Sequence, residues 1–123
     1  MKMKNKNIVS SFRNAFQGIR QTAARERNFK AHIIIAIVTV AACIGFRVES
    51  SQFIWVMVSI FFVLCMELIN TAVEALTDLI IGNKSHPLAK IAKDAAAGAV
   101  LLSAIMAVIV GLVVASSVLQ RYL

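Results

Sequence analysis

A chain of 123 residues with 59% apolar and 15% charged side chains has a mean hydropathy of +0.80, too apolar for an ordinary water-soluble domain of this size. Its 13 Lys and Arg against 6 Asp and Glu give a net charge of +7, but the basic residues fall in short blocks between long apolar runs, not over one polar surface, which excludes nucleic acid as a partner. With 5 Gly, 1 Pro and no low-complexity tract the chain is not a linker, fibre or disordered tail; Cys43 and Cys65, each inside an apolar run, are expected to be small buried hydrophobes and not a disulfide or metal pair.

The first element in chain order is an amphipathic helix. Ile8, Val9, Phe12, Phe16, Ile19 and Ala23 recur at helical spacing with Ser, Arg, Asn and Gln between them. Its basic polar face suits either a helix lying on the inner leaflet or an arm packed on its own bundle. Residues 1–29 are expected to form this cytoplasmic arm. Three apolar stretches follow, and each is long enough to cross a bilayer core, which takes about 20 helical residues. They predict transmembrane helices over 31–48, 53–81 and 88–119, the last with a charge-free run from Ala95 to Leu119. A cleavable signal peptide does not fit the first stretch, which lacks a small-residue cleavage site after it. The expected fold is therefore an all-α integral membrane protein in one domain, with an N-terminal amphipathic surface helix and three transmembrane helices.

Orientation follows from the distribution of Lys and Arg. Lys2, Lys4, Lys6, Arg13, Arg20, Arg25, Arg27 and Lys30 precede the first span, and Lys84, Lys90 and Lys93 surround the second loop. Only Arg47 and Arg121 fall on the other side. The N-terminus and the 82–93 loop are expected in the cytoplasm, with the C-terminus outside.

The second span carries Met66-Glu-Leu-Ile-Asn-Thr-Ala-Val-Glu-Ala-Leu-Thr-Asp78. At about 100° per residue, Glu67, Asn70, Glu74 and Asp78 share an arc of roughly 80° on one helix face. A rise of about 1.5 Å per residue from Phe53 puts Glu67 roughly 21 Å into the span and Glu74 near the cytoplasmic boundary. An intramembrane carboxylate costs about 2.5 to 3.5 kcal/mol even on the lenient insertion scale, so it needs a partner or a polar cavity. An interhelical ion pair or a protonated Glu joining helices is one solution. No Lys, Arg or His lies in the apolar interior of a span, however, so a proton, a metal ion or a substrate is the expected partner of Glu67.

Other polar groups gather at the same end. Glu26 is the only acidic residue in the first 48 and sits in the basic block Arg25-Glu26-Arg27-Asn28-Phe29-Lys30, where a local surface salt bridge would also explain it. Lys90, Lys93 and Asp94 open the third span, where anchoring by the positive-inside rule accounts for part of their presence. His32 and His86 lie near the boundary without a matching cluster, which argues against zinc. A mouth holding Glu26, Glu74, Asp78 and Asp94 beside Lys90 and Lys93, with Glu67 deeper, suits Mg²⁺ and the phosphates of a nucleotide. A carboxylate in low dielectric can also take a proton from a hydroxyl at the bilayer surface. These parts fit phosphoryl transfer from Mg-ATP to a lipid alcohol. There is no P-loop and no protein-kinase motif set, so a nucleotide site would be of another kind.

The run at 66–78, followed by His86-Pro-Leu-Ala-Lys-Ile-Ala-Lys-Asp-Ala-Ala-Ala-Gly-Ala-Val100, closely resembles the prokaryotic diacylglycerol kinase family, as do Gly18-Ile-Arg20 and Arg25 to Lys30. The resemblance spans nearly the whole chain. It implies a homotrimer with active sites shared between subunits, Glu67 as proton acceptor, and Glu26 and Glu74 as Mg²⁺ ligands. It further implies that Asn70, Glu74, Asp78, Lys93 and Asp94 serve the nucleotide and catalytic network, and that the Lys84, Ser85 and His86 loop covers the nucleotide. Between Glu67 and Glu74, burial favours the first as base and position favours the second for metal. The wording at 86–100, with Ala97 where the Gram-negative pattern has Ser, is typical of the Gram-positive branch, chiefly undecaprenol kinases. Undecaprenol is the expected substrate and diacylglycerol the close alternative. A non-enzymatic small membrane subunit is the alternative from another class.

Overall fold

The computed structural model describes residues 7–123 of the chain, so Lys2, Lys4 and Lys6 of the basic arm lie outside the described residues. Four helices follow one another: α1 (Ile8–Arg25), α2 (Arg27–Gly45), α3 (Ser50–Ile81) and α4 (Pro87–Tyr122). Strands are absent among the described residues. The last three helices are long and apolar enough to cross a membrane.

Helix α1 starts at a capping box, in which the Asn7 side chain accepts from the Ser10 amide and the Ser10 hydroxyl accepts from the Asn7 amide. Ile8, Val9, Phe12 and Phe16 of its apolar face remain exposed. Within the protomer that face is therefore uncovered, and only its far end, at Thr22, is buried. One extended residue, Glu26, separates α1 from α2. Its amide donates to Thr22 and its carbonyl accepts from Lys30, while its carboxylate makes no capping bond and stays free for other work. Phe29, the largest fully buried side chain, sits in the first turn of α2 and fixes the junction.

Helix lengths differ, and the difference positions the site. At about 1.5 Å per residue α2 is roughly 28 Å long, close to a hydrocarbon core, whereas α3 is roughly 48 Å and α4 roughly 54 Å. The α3 and α4 hairpin thus carries its polar end beyond the start of α2. Its turn includes Gly82, whose φ of 59° and ψ of −127° belong to glycine. Pro87 opens α4 in the first-turn position that tolerates it.

The apolar core lies at the opposite end, where Cys43, Val56 and Val114 pack with Val48, Phe53, Ile60, Val110 and Val118. Arg121 reaches back from α4 to the carbonyls of Phe46 and Arg47, and the Phe46 and Tyr122 rings meet edge to face at 6.4 Å. This clamp ties the end of α4 to the turn after α2. Buried hydroxyls are satisfied on their own helices, Ser59 by Val56 and Ser103 by Val100. Both cysteines are free, but only Cys43 is buried. Cys65 is exposed on α3, contrary to the expectation of burial, because a bilayer accepts an apolar side chain on the outer face of a bundle as readily as inside it.

Candidate active site

The stripe on α3 descends from a buried to an exposed environment. Glu67 is 5% exposed, Asn70 and Glu74 are half-buried, and Asp78 is exposed. Asn70 Nδ2 donates to Glu74 Oε1 at 3.2 Å, linking two members of the stripe one turn apart. The Asn70 Oδ1 atom is buried without a hydrogen-bond partner.

Antiparallel packing of α2 on α3 determines what meets the stripe. His32 Nε2 lies 3.1 Å from Glu67 Oε1, so the expectation that only a proton, a metal ion or a substrate meets Glu67 is corrected: a side chain of α2 does. Depth along α3 alone does not show this contact, because the two helices differ in length and overlap in register. His32 lies about 7 Å along α2 from its start, while α3 continues for about 21 Å beyond Glu67, which brings a boundary histidine level with a residue assigned to the interior. From His32 back to Glu26 is about 9 Å of chain at helical rise, and from Glu67 on to Glu74 about 10 Å, so the same register brings Glu26 opposite Glu74.

Glu26, Glu74 and Asp78 line one polar cavity of about 250 Å³ together with Gln21, Thr22, Arg25, Thr71 and Ala75. The α1 residues among these were not singled out from sequence. Their signal is the polar face of the amphipathic arm, which suits a membrane surface or packing on the bundle but marks no individual residue for a site. Lys93 reaches Asp78 across the α3–α4 turn at 2.6 Å. Asp94 instead pairs with Lys90 on the exposed side of α4, and neither lines the cavity. Lys84, Ser85 and His86 also lie outside that lining. His86 accepts from the Leu88 amide at 3.1 Å and caps α4.

Among the described residues no three acidic, His or Cys side chains converge tightly enough to enclose an ion by themselves. Of the three carboxylates lining the cavity Asp78 is paired with Lys93, and the remaining two, Glu26 and Glu74, with an unpartnered amide oxygen beside Glu74, nevertheless match Mg²⁺, which takes one or two protein carboxylates and completes its shell with water and phosphate. The chemistry of the residues therefore fits that ion.

Fold and site together define a helical membrane protein with an oxygen-rich polar site at the basic end of its bundle. The chain matches the family description "Prokaryotic diacylglycerol kinase" over residues 13–115. It is 46% identical over 109 residues to the undecaprenol kinase of Bacillus subtilis, covering 87% of this chain and 86% of that protein. It is 43% identical over 105 residues to the diacylglycerol kinase of Synechocystis sp., covering 85% of this chain but 60% of that protein's length. Identity to the diacylglycerol kinase of Escherichia coli is 28% over 102 residues, 83% of each chain. The chain belongs to the prokaryotic diacylglycerol kinase family, which places it among the membrane lipid kinases.

Proposed function

We propose that the chain transfers the γ-phosphoryl group of ATP to the hydroxyl of undecaprenol, yielding undecaprenyl phosphate, the lipid carrier of cell-wall synthesis. The observation that carries this reading is the polar cavity between α1 and α3, with Glu26 and Glu74 in its lining and Glu67 buried higher on the same stripe. The choice of lipid is supported by the near end-to-end match to the Bacillus enzyme and by Ala97 in the 86–100 wording. Diacylglycerol is the second reading, favoured by the Synechocystis relative.

In this reading the hydroxyl oxygen attacks the γ-phosphorus, the bond to the bridging oxygen of ADP breaks, and Glu67 takes the hydroxyl proton. Its burial keeps bulk water from competing for that role. Glu26 and Glu74 would hold Mg²⁺, which supplies neutralisation of phosphate charge. Asn70 orients Glu74 through its amide. Lys93 and Asp78 form one charged pair beside the cavity, from which Lys93 can turn to a phosphate. Lys84, Ser85, His86 and Asp94 contribute to the nucleotide site from a neighbouring subunit, since they do not line the cavity of their own protomer. This arrangement calls for the homotrimer with shared sites. The basic arm and the 82–93 loop face the cytoplasm, where ATP is, and the C-terminus lies outside the plasma (inner) membrane. The exposed apolar face of α1 suits the inner leaflet.

Labelled ATP with Mg²⁺ and purified protein in mixed micelles, with undecaprenol or diacylglycerol at equal surface concentration, tests the reading. Preferential labelling of undecaprenol is expected. Preference for diacylglycerol would overturn the substrate, and labelling of neither by folded protein would favour a non-enzymatic subunit.

A further inference from the structure

His32 takes no part in the proposed phosphoryl transfer, yet it stands against the group to which that reaction assigns the proton. Nε2 of His32 is 3.1 Å from Oε1 of Glu67. Among the described residues no other side chain bonds to this carboxylate; Thr71 donates only to the Glu67 main-chain oxygen. The Glu67 side chain is 6% exposed and that of His32 27%. A carboxylate so enclosed and held by one contact swings about its own side-chain torsions unless that contact fixes it. His32 is itself held by its backbone in α2, one turn after Phe29, the most firmly buried aromatic side chain of the protomer.

We infer that His32 is the positioning residue of Glu67: its Nε2 occupies Oε1 and thereby presents Oε2 to the lipid hydroxyl. The inference rests on Glu67 being the proton acceptor. It adds a residue from the first turns of α2 to a site otherwise built from α1, α3 and α4. A base presented in one orientation raises the turnover of bound substrates without tightening their binding, because the reacting atoms must be aligned to well within an ångström.

The test compares H32L, H32Q, E67Q and the H32L/E67Q double variant in the micelle assay, with thermal unfolding of each. H32Q keeps an amide N–H at the distance of Nε2, while H32L keeps bulk without a donor. The expected result is a kcat for H32L lower by roughly 10- to 100-fold with KM for ATP and lipid nearly unchanged. Most of that loss should return in H32Q, and the double variant should be no slower than E67Q. If H32L does not fold, H32N, polar but too short to reach Oε1, takes its place with the same expectation. Wild-type kcat in H32L, equal impairment of H32Q and H32L, or losses that multiply in the double variant would each overturn the inference. A fully active E67Q would overturn the base assignment and the inference with it. An inactive E67Q beside an unaffected H32L would overturn the inference alone.

Discussion

Replacing Phe29 with alanine should separate the stability of the helix junction from the chemistry that it positions. The side chain is 1% exposed, so the substitution removes essentially its whole packed surface. Burial of about 150–250 Å² at about 25 cal/mol per Å² gives an upper figure of about 4–6 kcal/mol, and Phe to Ala changes in packed cores cost about 3–5 kcal/mol. In micelles the unfolded helices retain contact with apolar tails, which lowers the transfer contribution and leaves mainly the cavity. A loss of about 2–3 kcal/mol is therefore expected for F29A, and about 1 kcal/mol for F29L, which refills most of the volume. Unfolding by SDS titration in mixed micelles, followed by circular dichroism, measures both. Activity per folded molecule should also fall in F29A, because Glu26 lies one turn before Phe29 on the single extended residue that joins α1 to α2. A loss below about 0.5 kcal/mol with full activity would refute the reasoning that this ring fixes the junction.

Four further substitutions probe separate parts of the account. E26Q and E74Q should each weaken Mg-ATP binding and raise the Mg²⁺ requirement by about tenfold or more, measured by nucleotide titration at several Mg²⁺ concentrations. K93A should raise KM for ATP by about tenfold, the worth of one charge-assisted contact, while unfolding hardly changes because the pair with Asp78 is open to solvent. Paired kinetic and thermal scans would show this. G82A should destabilise the protein by about 1–3 kcal/mol through backbone strain alone, since nothing beyond its own chain neighbours lies within 4 Å of the added Cβ. Asn should not relieve it, because a ψ of −127° lies outside the left-handed helical region.

Much of the fold was legible because membrane helices announce themselves by length and composition. The three apolar runs gave the spans, and the Phe12, Phe16, Ile19 spacing gave the arm. The apolar runs begin later than the helices, at 31 against Arg27 and at 53 against Ser50, because a helix extends into polar residues that a hydropathy reading stops at. The stripe from Glu67 to Asp78 was legible from periodicity. Glu26 and Lys93 gather at the same mouth from sequence, but the individual pairings were not legible, since they depend on the register between helices. His32 was judged by its distance from a span boundary, whereas the contact with Glu67 depends on how far α3 overshoots α2. Residue type was equally insufficient for Asp94 and Lys93. These neighbours on one turn part company because only Lys93 lies on the α4 face that meets Asp78.

The assignment of proton transfer to the buried carboxylate is tested most directly by E67Q, which removes the acceptor and keeps the size of the side chain. Phosphate transfer from labelled ATP to the lipid alcohol should fall by about 10²- to 10⁴-fold while the folded protein still binds Mg-ATP. Normal turnover by folded E67Q would contradict the account and shift the search for the base to Glu74.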